Sequence, residues 1–176
     1  MTLDDDTARF EALFQAHRSA VLAYARRRVD PDTAADVVAD TFLVAWRRLD
    51  AVADDPLPWL YGVARKVIAN QRRAHRRSEA LVGRLAGDRI APAPSPEQGF
   101  GAVDALRAAL SGLGERDREA LRLVAWEDLD PQQAARAAGC SRATFAVRLH
   151  RARRRLAAAM DQEHSPVLPL EVTREA

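Results

Sequence analysis

Asp130-Pro131-Gln132-Gln133-Ala134-Ala135-Arg136-Ala137-Ala138-Gly139-Cys140-Ser141-Arg142 decides how the chain is read. Asp130 offers a carboxylate to the free N–H groups of a first helical turn. Pro131 suits the first helical position, and Gln133 completes a capping box. A short alanine-rich helix is therefore expected up to Ala138. Gly139 ends it, because glycine takes the left-handed conformation of a tight turn. Ser141 then caps a longer helix, expected from Arg142 to about Ala159. Phe145, Leu149, Ala152 and Leu156 step by four, three and four, so they share an inward face. Arg148, Arg151, Arg154 and Arg155 must point outward.

A short helix, a glycine turn and a longer arginine-studded helix form a helix-turn-helix pattern, whose second helix enters the major groove of DNA. Residues 142–155 hold six arginines and no acid. Arginine there pairs with guanine or neutralises phosphate. The candidate DNA contacts are Arg142, Thr144, Val147, Arg148, His150, Arg151 and Arg154. Thr144, Val147, Arg148 and Arg151 sit toward the N-terminal half, where base edges are reached. Arg154 lies a turn further on, placed for phosphate.

Working outward, Val103, Leu106, Ala109 and Leu110 form one stripe, and Leu113, Leu121, Leu123 and Val124 continue a core. A small helical domain is expected over residues 103–160, with a disordered tail at 161–176. Upstream, Ala91-Pro92-Ala93-Pro94-Ser95-Pro96 cannot form a packed element. Residues 78–102 are therefore predicted to be a flexible linker, about 27 Å across as a coil and about 80 Å when stretched. Residues 1–77 read as another small domain of three helices. The first runs from Asp6 to Val29 on the stripe Phe10, Leu13, Phe14, Val21, Leu22, and Asp30-Pro31-Asp32 breaks it. The second runs from Thr33 to Leu49 on Ala34, Val37, Val38, Phe42, Ala45, Trp46 and Leu49, with Asp36 and Asp40 off that stripe. After a loop at 50–58, the third runs from Trp59 to Arg77, apolar at first and basic at its end. Strand-like runs are absent, so the expected class is all-α, in two small helical domains.

The formal net charge is only +2, yet residues 61–90 carry eight basic side chains against two acidic ones. Two basic segments in a nearly neutral chain point to two separate contacts with a polyanion. In the first, Arg65, Lys66, Asn70 and Arg73 are the candidate contacts. Trp59 and Tyr61 stand beside them, and aromatic rings beside basic groups suit single-stranded nucleic acid; for Trp59, core packing is the favoured reading. Lys66 is the only lysine among 27 basic residues. A GC-rich genome and selection for guanidinium chemistry both account for that.

Several classes are disfavoured. The lone Cys140 and the scattered His17, His75, His150 and His164 show no metal-ligand spacing, so neither metal nor cofactor is expected. Asp36 and Asp40 have no companion histidine or phosphate loop, so an enzyme is not expected. No run approaches the ~20 apolar residues of a membrane span. The acidic start does not read as a signal peptide, and a cytoplasmic location is expected.

Taken in order, these segments resemble the extracytoplasmic-function (ECF) group of bacterial sigma factors, in the sigma-70 family. The resemblance covers about residues 10–77 and 103–157. Ala35-Asp36-Val37-Val38-Ala39-Asp40-Thr41-Phe42-Leu43-Val44-Ala45-Trp46-Arg47 is similar to the segment that docks on the polymerase clamp, which implies Asp36, Asp40 and Arg47 as polymerase contacts. Pro58-Trp59-Leu60-Tyr61-Gly62-Val63-Ala64-Arg65-Lys66 resembles the start of the minus-ten recognition helix. Leu113-Gly114-Glu115-Arg116-Asp117-Arg118-Glu119-Ala120-Leu121 followed by Gly139-Cys140-Ser141-Arg142-Ala143-Thr144 and Arg148-Leu149-His150-Arg151-Ala152-Arg153 resembles the minus-thirty-five domain. The resemblance implies core RNA polymerase, promoter DNA and an anti-sigma factor as partners, and a role in transcription initiation. It also exposes departures. Ala39 stands where glutamine is usual, the loop 50–57 is short and acidic, and Ala146 and Val147 replace polar residues on the reading helix. The competing readings are a stand-alone helix-turn-helix repressor or activator, and a polymerase-binding interaction module.

Overall fold

Residues 3–86 and 102–164 are described by a computed structural model; among them are seven α-helices, one 3-10 turn and no strand. The first half is a bundle of α1 (Leu3–Arg26), α2 (Pro31–Arg47) and α3 (Leu57–Ala86), with the 3-10 turn at Leu49–Ala51. Asp30 accepts a hydrogen bond from the Thr33 amide at 2.9 Å and Pro31 opens the helix, so the breaker between α1 and α2 is also the cap of α2. Phe14 meets Phe42 edge-on at 4.9 Å and Phe10 meets Trp46 at 5.1 Å, which ties α1 to α2.

Helix α3 runs on to Ala86, past the end predicted at Arg77. Residues 78–86 are mostly good helix formers, and no proline interrupts them before Pro92. The segment read as the start of the linker is therefore helical. The proline-rich run itself and the tail predicted at 161–176 lie outside the described residues, apart from the last turn of the final helix.

The second half contains α4 (Ala102–Gly112), α5 (Glu115–Ala125), α6 (Pro131–Ala138) and α7 (Arg142–His164). The capping box at Asp130 and Gln133 is formed, and Gly139 has φ of +66°, as the turn chemistry requires. Phe145, Leu149 and Ala152 are buried, which fixes the inward face of α7.

The halves do not stand apart. Tyr24, Tyr61, Ala64 and Ile68 belong to one buried cluster with Ala120, Leu123, Ala134 and Ala137. Helix α3 lies on α6, and Gly62 permits the approach: a Cβ there would sit 3.4 Å from the Ala137 carbonyl oxygen. The flexible linker predicted between two small domains gives no sign of this shared core. Periodicity reveals which side chains turn inward, but not which half they turn toward. No helix among the described residues is long and apolar enough to cross a membrane.

Candidate polymerase and nucleic-acid interfaces

The stripe on α2 that faces away from the bundle is built by spacing alone. Asp36, Asp40, Leu43 and Arg47 step by four, three and four, and all are exposed. Leu43 and Trp46 leave 47% and 40% of their surface open, large for apolar groups. The periodicity had assigned Trp46 to the core. Its ring is instead pinned at the edge of the bundle by Phe10, with one side free. Leu43 was missed because a single leucine outside a stripe carries no signal. The face thus presents two carboxylates, an apolar middle and a terminal arginine.

On α3, Lys66, Asn70 and Arg73 share an exposed face, and Arg73 donates to the Asn70 side-chain oxygen. Arg65 does not join them. It is half-buried and donates Nε to the Ala137 carbonyl at 3.1 Å, holding α3 to α6. Tyr61 is also withdrawn, stacked on Tyr24 at 4.7 Å in the core, and Trp59 is half-buried against the same cluster. Neither ring stands free for a base in this arrangement.

The junction between the halves holds charges that sequence reasoning missed. The Arg28 side chain is only 4% exposed. It donates to Glu119 Oε2 at 2.9 Å, to Glu127 Oε1 at 2.8 Å and to its own helix at the Tyr24 carbonyl. Arg27 pairs with Glu127 as well. The Tyr24 hydroxyl donates to Glu119 Oε1 at 2.7 Å, and the Arg28 guanidinium lies over the Tyr24 ring at 3.4 Å. Burial, and then the Glu119 charge, push the Tyr24 hydroxyl well above its ordinary pKa. Further along, Asp55 of the acidic loop accepts from Gln133 at 3.0 Å and Arg136 at 2.8 Å, both on α6. The only signal available beforehand was coarse: a basic Arg26-Arg27-Arg28 run in one half and isolated acids in the other.

On α7, Arg142, Thr144, Val147, His150, Arg151 and Arg154 are exposed, with Val147 68% open. Ser141 accepts from the Thr144 amide at 3.2 Å, so the reading end of the helix is capped. Arg148 is half-buried, with one guanidinium nitrogen 3.8 Å from the Cys140 sulfur. Arg151 and Arg155 both donate to the buried Asp117 carboxylate, at 3.2 and 2.5 Å. Both guanidinium groups are thereby tied to α5, and both side chains keep about half their surface open.

The family model for sigma-70 region 2 matches residues 13–78, and that for sigma-70 region 4 matches residues 104–156. Across both, the chain is 30% identical over 157 residues to the ECF RNA polymerase sigma factor SigL of Mycobacterium tuberculosis, covering 86% of this chain and 88% of the relative. The chain belongs to the ECF sigma factors. A second relative, the RNA polymerase sigma factor CnrH of Cupriavidus metallidurans, is 32% identical, covering 88% of this chain and 87% of its own. Among solved structures, the sigma factor RpoE of Bartonella quintana, in complex with the anti-sigma factor NepR, superposes with a TM-score of 0.64 at 26% identity, covering 86% of this chain and 96% of that one. CnrH in complex with the cytosolic domain of CnrY gives 0.59 at 26% identity, covering 88% of each. This sigma factor therefore has the family's all-α architecture, and its function is to bind RNA polymerase and direct transcription initiation at promoters. A stand-alone repressor or activator is not favoured, because region 2 has no place in that reading.

Proposed function

We propose that this sigma factor docks on the polymerase clamp through the α2 face of Asp36, Asp40, Leu43, Trp46 and Arg47, and that the described arrangement is its resting, closed state. Residues 1–77 serve clamp and minus-ten contacts, residues 103–160 serve the minus-thirty-five element, and the segment between them lets the halves separate. Lys66, Asn70 and Arg73 track minus-ten DNA, joined by Arg65 once α6 has left it. Arg142, Thr144, Val147, Arg148, His150, Arg151 and Arg154 line the minus-thirty-five contact. The protein acts in the cytoplasm, catalyses nothing itself, and an anti-sigma factor holds it closed, as the complexes of RpoE with NepR and of CnrH with CnrY suggest by analogy.

The contact of α3 with α6 carries the closed-state reading. The two promoter elements are about 25 base pairs apart, about 85 Å along DNA at 3.4 Å per pair. With α3 lying on α6, one molecule cannot read both. The clamp assignment is tested with the pair Asp36→Arg and Asp40→Arg. Charge reversal at an interface costs several kcal/mol, and both residues are exposed, so the fold survives. A folded double variant that co-elutes with core polymerase as the parent does would sink the assignment.

A further inference from the structure

A cleft of about 170 Å³ lies where the two halves meet, reached by α1, α3 and α5. Seven arginines and two glutamates line it, so its charge is strongly positive. Some of those arginines are already engaged. Arg28 is held by Glu119 and Glu127, and Arg72 pairs with Glu115 and donates to the Arg28 carbonyl. Arg118 closes the end of α4 through the carbonyls of Leu110, Ser111 and Leu113. Arg122 is different. Its Nε is buried with no hydrogen-bond partner, and its guanidinium carbon lies 5.7 Å from the centre of the Trp126 ring. Buried donors are nearly always paired, so an orphaned one requires an explanation. Burial, and then the positive charges of Arg28, Arg118 and Arg72, make Arg122 a less comfortable cation; Glu119 alone opposes them.

We propose that this cleft binds a small phosphate-type anion, orthophosphate or diphosphate, with Arg122 as its central donor. The inference rests on the reading that the free protein adopts the closed arrangement. The cleft is smaller than the roughly 300–1,000 Å³ of pockets that take drug-sized ligands. A helix about 10 Å across does not enter it, and neither does a DNA strand while α3 and α6 are joined. Guanidinium groups suit phosphate oxygens, which accept two parallel N–H bonds. Walls from both halves form the site, so its ligand stabilises the closed state by mass action and lowers the supply of molecules able to read both promoter elements.

The test uses the full chain in magnesium-free buffer, with orthophosphate, pyrophosphate and adenosine diphosphate titrated by calorimetry, and small-angle scattering run alongside. Saturable one-to-one binding of pyrophosphate to a compact chain is expected, with adenosine diphosphate no tighter. Arg122→Gln should weaken it about tenfold or more, as loss of a charge-assisted hydrogen bond does, with unchanged circular dichroism. Arg153→Gln, an exposed change on α7, should leave it unchanged. Gly62→Leu, whose side chain extends beyond a Cβ already in contact with Ala137, should abolish it. A compact chain that binds no phosphate overturns the site and leaves the closed state standing. An extended chain overturns both. Parent-like binding by Arg122→Gln places the anion elsewhere, and tighter binding of the nucleotide overturns the assignment to inorganic phosphate.

Discussion

Arg28 on the last turn beyond α1 and Glu127 beyond α5 lie 2.8 Å apart, and their side chains are 4% and 1% exposed. Their meeting is possible only while the two halves are joined. Separated, each group is free to reach water. In the proposed closed state the pair acts as a latch, and its removal is expected to act on closure more than on folding.

Glu127→Ala leaves Arg28 buried against one carboxylate instead of two, and leaves Arg27 without its partner. Breaking a buried pair from one side costs about 3–5 kcal/mol. The variant relieves this by opening, so its radius of gyration should rise above the roughly 16 Å expected of a compact chain of this length, while its helix content holds. An unchanged radius together with an unchanged melting temperature would contradict the latch.

Gly62→Leu tests the same closure by shape. Within a helix, leucine is favoured over glycine by somewhat under 1 kcal/mol, so the first bundle should not suffer. Against Ala137, however, the Cβ alone already reaches contact distance, 3.4 Å from the carbonyl oxygen, so the rest of the leucine side chain is expected to push α6 away. Expansion in scattering without loss of helicity is expected. Gly62→Ala, whose single methyl reaches only van der Waals contact, should remain compact.

Alkali should open the junction. The pKa of Tyr24 is raised in the folded protein, so the protonated hydroxyl is favoured there. Its contribution is complete below the unfolded value near 10 and is lost as pH rises beyond it. Scattering or amide exchange from pH 8 to 11 should show opening that begins only above about 10. Tyr24→Phe removes the donor to Glu119 and costs about 1 kcal/mol at neutral pH. The alkaline step attributed to Tyr24 should be smaller in that variant, and a step of parent size would assign it elsewhere, Tyr61 being the next buried phenol.

On the reading helix, Arg154→Ala should weaken binding of the holoenzyme to all minus-thirty-five sequences alike and reduce the salt slope by about one unit. Arg151→Ala should cost about 1–3 kcal/mol and relax preference at one base pair. Its bond to Asp117 orients the guanidinium, so Asp117→Asn should blur that preference without removing it. The measurement is holoenzyme binding to a library of minus-thirty-five variants at several salt concentrations. An Arg151→Ala protein with parental affinity and preference would show that α7 is not oriented as described.

The helices were legible because local chemistry fixes them: Asp30-Pro31 and Asp130-Pro131 cap, Gly139 turns, and Phe145, Leu149 and Ala152 repeat on one face. The candidate face of α2 was half legible, since Asp36 and Asp40 fall off the apolar stripe, while Leu43 and Trp46 did not announce themselves. The junction was not legible. Arg28 and Glu119 are ninety-one positions apart, and no local pattern links residues at that separation. Arg65 and Arg151 illustrate the same gap: helical spacing gives each a direction, but only the packed partner, the Ala137 carbonyl or the Asp117 carboxylate, decides what the guanidinium holds.

The contact of α3 with α6 has a further consequence, of dose. If only a fraction of molecules is open, the apparent affinity for a promoter read by both halves is the intrinsic affinity scaled by that fraction. Each 1.4 kcal/mol of closure therefore raises the concentration needed for a given occupancy about tenfold. A cell holding a fixed pool of polymerase would then meet a threshold in the amount of this sigma factor, set by the fit of Gly62 against Ala137 and by the grip of Arg28 on its two glutamates. Substitutions at that seam would move the threshold without touching a single promoter-reading residue.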